Sequence, residues 1–185
     1  GGHLSPNLGT VELTVALYRV FTFPKDKLIF DVGHQSYTNK ILSGRSLAHL
    51  NDKGAISGFQ DPSESVYDCY SAGHSSTSLS AAEGFAIARD LKCDQYDVVA
   101  VIGDASIVNG LSFEALNNIG SRQNKVIIIL NDNEMSISSP VGAVGHFFRK
   151  ISTNHLYNSI KRSYRQSLVY RSGLGKRLYS FTSYL

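Results

Sequence analysis

Two apolar runs, each stopped by a short polar motif, constrain this chain more than any other feature. Val98-Val99-Ala100-Val101-Ile102 runs into Gly103-Asp104, and Val126-Ile127-Ile128-Ile129-Leu130 runs into Asn131-Asp132-Asn133. Apolar runs of this length, rich in β-branched residues, read as buried strands of a parallel sheet. Phe113-Glu114-Ala115-Leu116-Asn117-Asn118-Ile119 lies between them and reads as a short helix, so the unit is β-α-β. Both motifs then stand where a strand stops, and they bring Asp104 and Asn133 to one place. A carboxylate with an amide oxygen is a hard, all-oxygen donor set, suited to Mg²⁺ holding a phosphorylated group.

The rest of the chain repeats that alternation. Residues 9–21 have Leu13, Leu17, Val20 and Phe21 on one helical face, and Pro24 closes that helix. Lys27 to Val32 reads as a strand ending at Gly33-His34-Gln35. Residues 43–64, rich in Gly, Ser, Asp and Asn, form a long loop with room for one helical turn. Val66 to Ala72 reads as a weaker strand. Gly73-His74-Ser75-Ser76-Thr77 opens a helix running to about Leu91, with a Ser or Thr side chain as its cap. Strands alternating with helices define an α/β domain, a mainly parallel sheet with helices on both faces. Ligands of such sheets bind at the carboxyl ends of the strands. Gly33-His34, Gly73-His74-Ser75, Gly103-Asp104 and Asn131-Asp132-Asn133 all fall there.

Composition narrows the function classes. The chain of 185 residues, 42% apolar and 18% charged, has the make-up of a globular domain. It contains no apolar stretch of about 18 residues, so no membrane span is expected. Its first residues lack the charged and apolar regions of a signal peptide. Cys69 and Cys93 form no C-x-x-C pattern, so a reducing cytoplasm and two inert packing thiols are expected. Residues 1–134 carry all 15 acidic groups and 10 of the 18 basic ones, a net −5, whereas residues 135–185 carry a net +8. Tyr157, Ile160, Tyr164 and Leu168 recur among those basic groups at helical spacing. That pattern favours a helix packed on another part of a larger protein, or set near an anionic substrate, over a nucleic-acid surface. The expected domains are residues 1–150 and a basic helical tail, residues 151–185.

Each motif has an ordinary reading beside the functional one. Gly-Asp after a strand is common turn chemistry, Asn-Asp-Asn makes a good loop, and Gly73-His74-Ser75 can be a plain cap. Their convergence on one sheet edge favours a ligand. The second Gly of a hydrolase elbow is Thr77 here, and no Walker loop or G-x-G-x-x-G occurs. His3, His34 and His74 each adjoin a Gly in loops where they can touch an anion or move a proton. Cysteine and histidine spacing offers no zinc site.

These residues carry a family resemblance. Gly103-Asp104 with Asn131-Asp132-Asn133 resembles the thiamine-diphosphate signature. Gly9 to Leu17, Asp31 to Gln35, Gly73 to Ser78 and Leu130 to Ser138 resemble the 1-deoxy-D-xylulose-5-phosphate synthase family, of the transketolase-like group. The resemblance spans about residues 1–150, and the tail matches in general character only. It implies a thiamine-diphosphate and Mg²⁺ enzyme joining pyruvate, with loss of CO₂, to D-glyceraldehyde 3-phosphate, in a route to isoprenoids and thiamine. It implies Asp104 and Asn133 as Mg²⁺ ligands through their side chains, and Met135 through its main-chain carbonyl. It implies Gly73, His74 and Ser75 along the cofactor, Ala105 and Ser106 on its phosphates through their backbone, and His34 at the diphosphate or substrate. His3 would lie near the reacting carbonyl. A homodimer, or association with missing domains, is implied as well.

Two departures stand against that pattern. The family's third motif position is Gly, and here it is Ala105, whose Cβ could crowd a phosphate or forbid a positive φ. The family's chains are several times longer, and the glutamate that activates the cofactor lies in a further domain. The chain alone is therefore expected to be inactive. A non-catalytic or split-subunit relative acting in binding or assembly, or a small subunit of a two-chain transketolase, remain the alternatives.

Overall fold

The computed structural model describes residues 4–48, 50, 52, 54–122 and 124–131. In chain order they form α1 (Leu4–Leu8), α2 (Val11–Val20), β1 (Lys27–Phe30), α3 (Tyr37–Leu42), α4 (Ser78–Leu91), β2 (Val98–Gly103), α5 (Asp104–Ile107), α6 (Gly110–Arg122) and β3 (Ile127–Asn131). Contacts divide the chain into Gly1–Ile137 and Ser138–Leu185, and every described residue lies in the first unit. The basic tail lies outside the described residues.

The sheet is parallel throughout, in the order β1-β2-β3. Leu28 pairs with Val99 and Phe30 with Val101, while Val101 pairs with Ile129 and Gly103 with Asn131. Alternation along each strand splits the apolar side chains between two faces. Leu28, Phe30, Val99 and Val101 pack with Leu17 of α2, and with Leu13, Tyr18, Phe21, Phe23, Ile127 and Ile129 around them. On the opposite face α4 packs against β2, where its Leu79, Ala82 and Ala86 are fully buried. Helices thus cover both faces, which is why the central strand carries no polar side chain from Val98 to Ile102.

Several expectations need correction. The helix expected over residues 9–21 is α2, Val11–Val20, and the separate α1 ends before it at Leu8; Thr10 lies between the two, and its hydroxyl donates to the carbonyls of Asn7 and Gln35. The second stops at Val20, ahead of Pro24. Val20 is 75% exposed, and Tyr18 takes its place against the core. The strand from Lys27 ends at Phe30, although the Asp31 N–H still donates to the Val101 carbonyl at 2.7 Å. Residues 66–72 form no strand. Asp68 in that stretch is spent on an ionic knot, with Arg45 donating to both of its oxygens at 2.6 and 2.9 Å. Lys40, fully buried, donates to Glu64 at 2.7 Å and to Asp68 at 3.5 Å. The same knot ties Arg45 and Glu64, near the two ends of the 43–64 loop, to each other and Glu64 to Lys40 of α3. The helix after His74 begins at Ser78, and that before Asn131 runs the longer span Gly110–Arg122.

Candidate functional site at the carboxyl edge

Three turns meet at the carboxyl edge of the sheet, one after each of β1 and β2 and one before α4. The turn after β1 is Asp31-Val32-Gly33-His34-Gln35. Val32 has φ 64 and Gly33 φ 89. A β-branched residue in that region is strained by about 1–3 kcal/mol and persists only where its surroundings over-determine it. They do so here. The Gln35 side chain donates to the Asp31 carbonyl at 2.9 Å, Asn7 donates to the His34 carbonyl at 2.8 Å, and Thr10 donates to the Gln35 carbonyl at 3.1 Å. Gly33 suits the turn by its conformation, and a Cβ there would also sit a tight 3.2 Å from the Gln60 main-chain nitrogen.

The turn before α4 is Gly73 to Thr77. No side chain of its own caps the helix, contrary to the sequence expectation. The cap comes from β1. Asp31, 2% exposed, accepts the Ser76 N–H on both oxygens at 2.9 and 3.0 Å, and the Ser78 N–H at 3.3 Å. The Ser78 hydroxyl donates to it at 2.6 Å. An internal carboxylate therefore holds the positive end of α4. The dipole of α4 is thus already met by Asp31, and the turn presents Gly73, His74 and Ser75 to solvent. No local pattern signals this cap, because Asp31 and Ser76 lie 45 positions apart.

The turn after β2 is Gly103-Asp104-Ala105-Ser106, and it passes directly into α5. Asp104 and Ser106 are half-buried and Ala105 is exposed. Ala105 is helical and outside the left-handed region, so the conformational objection to a Cβ there falls away. Ser76, itself at φ 75, joins this turn to the previous one. Its hydroxyl donates to the Ser106 carbonyl at 2.9 Å and accepts from Asn109 at 2.8 Å. The Ser112 hydroxyl donates to the same carbonyl at 2.9 Å. The Ser106 carbonyl thus faces inward.

The register supports the paired-strand argument to its last described residue. Gly103 pairs with Asn131, so the turn that begins at Gly103-Asp104 and the end of β3 at Asn131 stand at one level on adjacent strands. His3, Asn133 and Met135 lie outside the described residues, and of the proposed metal ligands Asp104 alone is described. A half-buried carboxylate at a strand end fits a hard dication. Among the described residues no three His, Cys, Asp or Glu side chains cluster for a metal. No described helix is long and apolar enough to cross a membrane. A polar groove of 440 Å³ lies at the opposite edge, lined by Asp26, Arg89, Asp90, Asp97 and Lys125 among others. Four of its charges pair with one another, Lys125 with Asp97 and Arg89 with Asp90, both at 2.7 Å.

Fold and edge together define the class: an open, parallel α/β domain that presents its ligand-binding turns beyond the carboxyl ends of its strands. Comparison with known proteins gives the family. A family model described as 1-deoxy-D-xylulose-5-phosphate synthase matches residues 1–184. The protein of that name from Pelotomaculum thermopropionicum is 52% identical over 180 residues, 96% of this chain and 28% of its own length. That from Dictyoglomus turgidum is 52% identical over 183 residues, 98% of this chain and 29% of its own. That from Carboxydothermus hydrogenoformans is 55% identical over 160 residues, 85% of this chain and 26% of its own. The chain belongs to the 1-deoxy-D-xylulose-5-phosphate synthase family and corresponds to its N-terminal domain. The match continues through the basic tail, further than residue 150, and the chain spans less than a third of these relatives.

Proposed function

We propose that this domain grips the diphosphate of thiamine diphosphate through Mg²⁺, as part of an enzyme that condenses pyruvate, with loss of CO₂, and D-glyceraldehyde 3-phosphate. The observation that carries the reading is the pairing of Gly103 with Asn131 within a family match over residues 1–184. Asp104 and Asn133 are the side-chain ligands in this reading, and Met135 adds its carbonyl. Gly73, His74 and Ser75 border the cofactor, Ala105 and Ser106 contact its phosphates, and His34 and His3 stand nearer the substrate. When bound, the cofactor supplies the electron sink for decarboxylation. The chain's own residues bind and orient. A diphosphate of about three negative charges beside Asp104 would be strongly unfavourable without a dication, which makes metal and cofactor binding interdependent. The isolated chain is inactive in this reading, and the complete enzyme is a cytoplasmic homodimer serving isoprenoid and thiamine synthesis.

Calorimetric titration with thiamine diphosphate, with and without Mg²⁺, tests the proposal on the chain and on the chain joined to the remaining domains. Binding that requires Mg²⁺ and weakens at least about tenfold in Asp104→Ala, some 1.4 kcal/mol, is the expected result. Binding indifferent to both metal and Asp104, or no binding in either form, overturns it. Ala105 motivated the alternative of a non-catalytic relative, and only its bulk still argues for one. Ala105→Gly should therefore tighten cofactor binding by less than about tenfold. Equal affinities would clear Ala105 altogether.

A further inference from the structure

We propose that Asp31 is a positioning residue of the carboxyl-edge site, setting the His34 turn and the His74 turn against each other; the proposal rests on the cofactor reading above. Asp31 stands immediately before one strained residue, Val32 at φ 64, and accepts the N–H of another, Ser76 at φ 75. Cys93 is the one other non-glycine residue of positive φ among those described, and it ends α4 at the far side of the domain. Strain of this kind gathers at sites where geometry is imposed by several contacts at once. Asp31 supplies most of them. Its main-chain N–H is fixed to Val101 of β2, its carbonyl accepts from Gln35, and its carboxylate takes the Ser76 and Ser78 donors. Ser76 passes the constraint on to the Asp104 turn through the Ser106 carbonyl and Asn109.

The carboxylate is a buried negative charge on the edge where a diphosphate is to bind. Two effects of Asp31→Asn then have opposite signs. Removing the charge by itself strengthens binding of an anion. Removing one of two acceptor oxygens, and turning an NH₂ toward the Ser76 and Ser78 donors, releases the turn and weakens it. If Asp31 positions, the second effect wins.

The test compares the chain with Asp31→Asn by amide hydrogen exchange, by the imidazole resonances of His34 and His74, and by titration with thiamine diphosphate and Mg²⁺. Expected are a loss of protection at Ser76 and Ser78 of at least about tenfold and displaced His74 resonances. Cofactor affinity should fall about tenfold, while Mg²⁺ affinity measured without cofactor stays within about twofold. A residue that merely stabilised the fold would change the thermal midpoint and leave that split absent. Tighter cofactor binding, or unchanged exchange and unchanged His74 resonances, overturns the proposal. If Asp31→Asn does not fold, Ser78→Ala removes one donor with the carboxylate kept, and the same changes are expected in smaller size. If neither the unaltered chain nor the chain joined to the remaining domains binds cofactor, the cofactor reading fails by itself, and exchange and imidazole resonances still decide the role of Asp31.

Discussion

Asp68 shows how one side chain is set by competing forces. Burial alone would raise its carboxyl, but the paired hydrogen bonds from Arg45, the Asp61 N–H and the nearby Lys40 outweigh burial and hold it below the usual carboxylate range. A carboxyl depressed in the folded state stabilises the fold above its unfolded value of about 3.9 and loses that contribution as pH falls through the folded value. Stability should therefore drop below about pH 4. Asp68→Asn should flatten that drop and cost roughly 3 kcal/mol at neutral pH, as seen by denaturant melts across pH. An unchanged acid limb would place the effect elsewhere. Cys69 beside it is the inert thiol that its sequence suggested, since burial pushes it up to about 11. Cys93 is exposed and is not a packing thiol. Alkylation at pH 8 should modify Cys93 first, read by mass spectrometry of the peptides, and Cys69 reacting first would contradict the burial argument. Residue roles of this sort were only partly legible in advance. Asp31-Val-Gly-His is a marked turn in sequence, yet what the carboxylate holds lies 45 and 47 positions on.

At the scale of elements, the strands were legible and the helix ends were not. Apolar runs with β-branched residues announced β2 and β3, and β2 is buried on both faces as such a run predicts, whereas β3, expected to be buried too, is only half-buried and leaves Leu130 exposed at the end of the row. The weak strand at residues 66–72 failed: its Asp68 is committed to Lys40 and Arg45, and Val66 points to solvent. The outer edge of β1 is instead met by side chains: Gln60 accepts the Phe30 N–H at 2.9 Å and donates to the Leu28 carbonyl at 3.0 Å, and the Cys69 thiol donates to the same carbonyl at 3.5 Å. Gln60, 1% exposed, thus stands in for a neighbouring strand. Gln60→Ala should cost about 2–3 kcal/mol in urea melts, and a loss below about 0.5 would mean that water replaces it freely. The end of α4 is a Schellman motif, with Cys93 N–H to the Asp90 carbonyl at 3.2 Å and Asp94 N–H to the Arg89 carbonyl at 2.9 Å. Cys93 occupies its left-handed position at φ 56, where glycine carries no Cβ penalty. Cys93→Gly should stabilise the domain by about 1 kcal/mol and raise the thermal midpoint. A lowered midpoint would show that its side chain matters more than its backbone.

For the molecule as a whole, the outward apolar surface is the feature that the described fold does not use. Leu4, Leu8, Val66, Leu91 and Leu111 are all more than half exposed. Apolar side chains left this exposed favour association, and the chain alone should self-associate. Sedimentation velocity should show mass rising with concentration, and a monomer at every concentration would count against it. The apolar runs by themselves determined the parallel α/β layering, because burial on both faces is written continuously into a strand's own residues. Their polar ends determined where to look for a ligand, because strands of one direction must end on one edge. Only the tertiary structure decided that the α4 terminus belongs to Asp31, that Gln60 closes the β1 edge, and that Lys40 is buried. Each of those contacts joins residues far apart in the chain, and no local period or propensity encodes such a meeting.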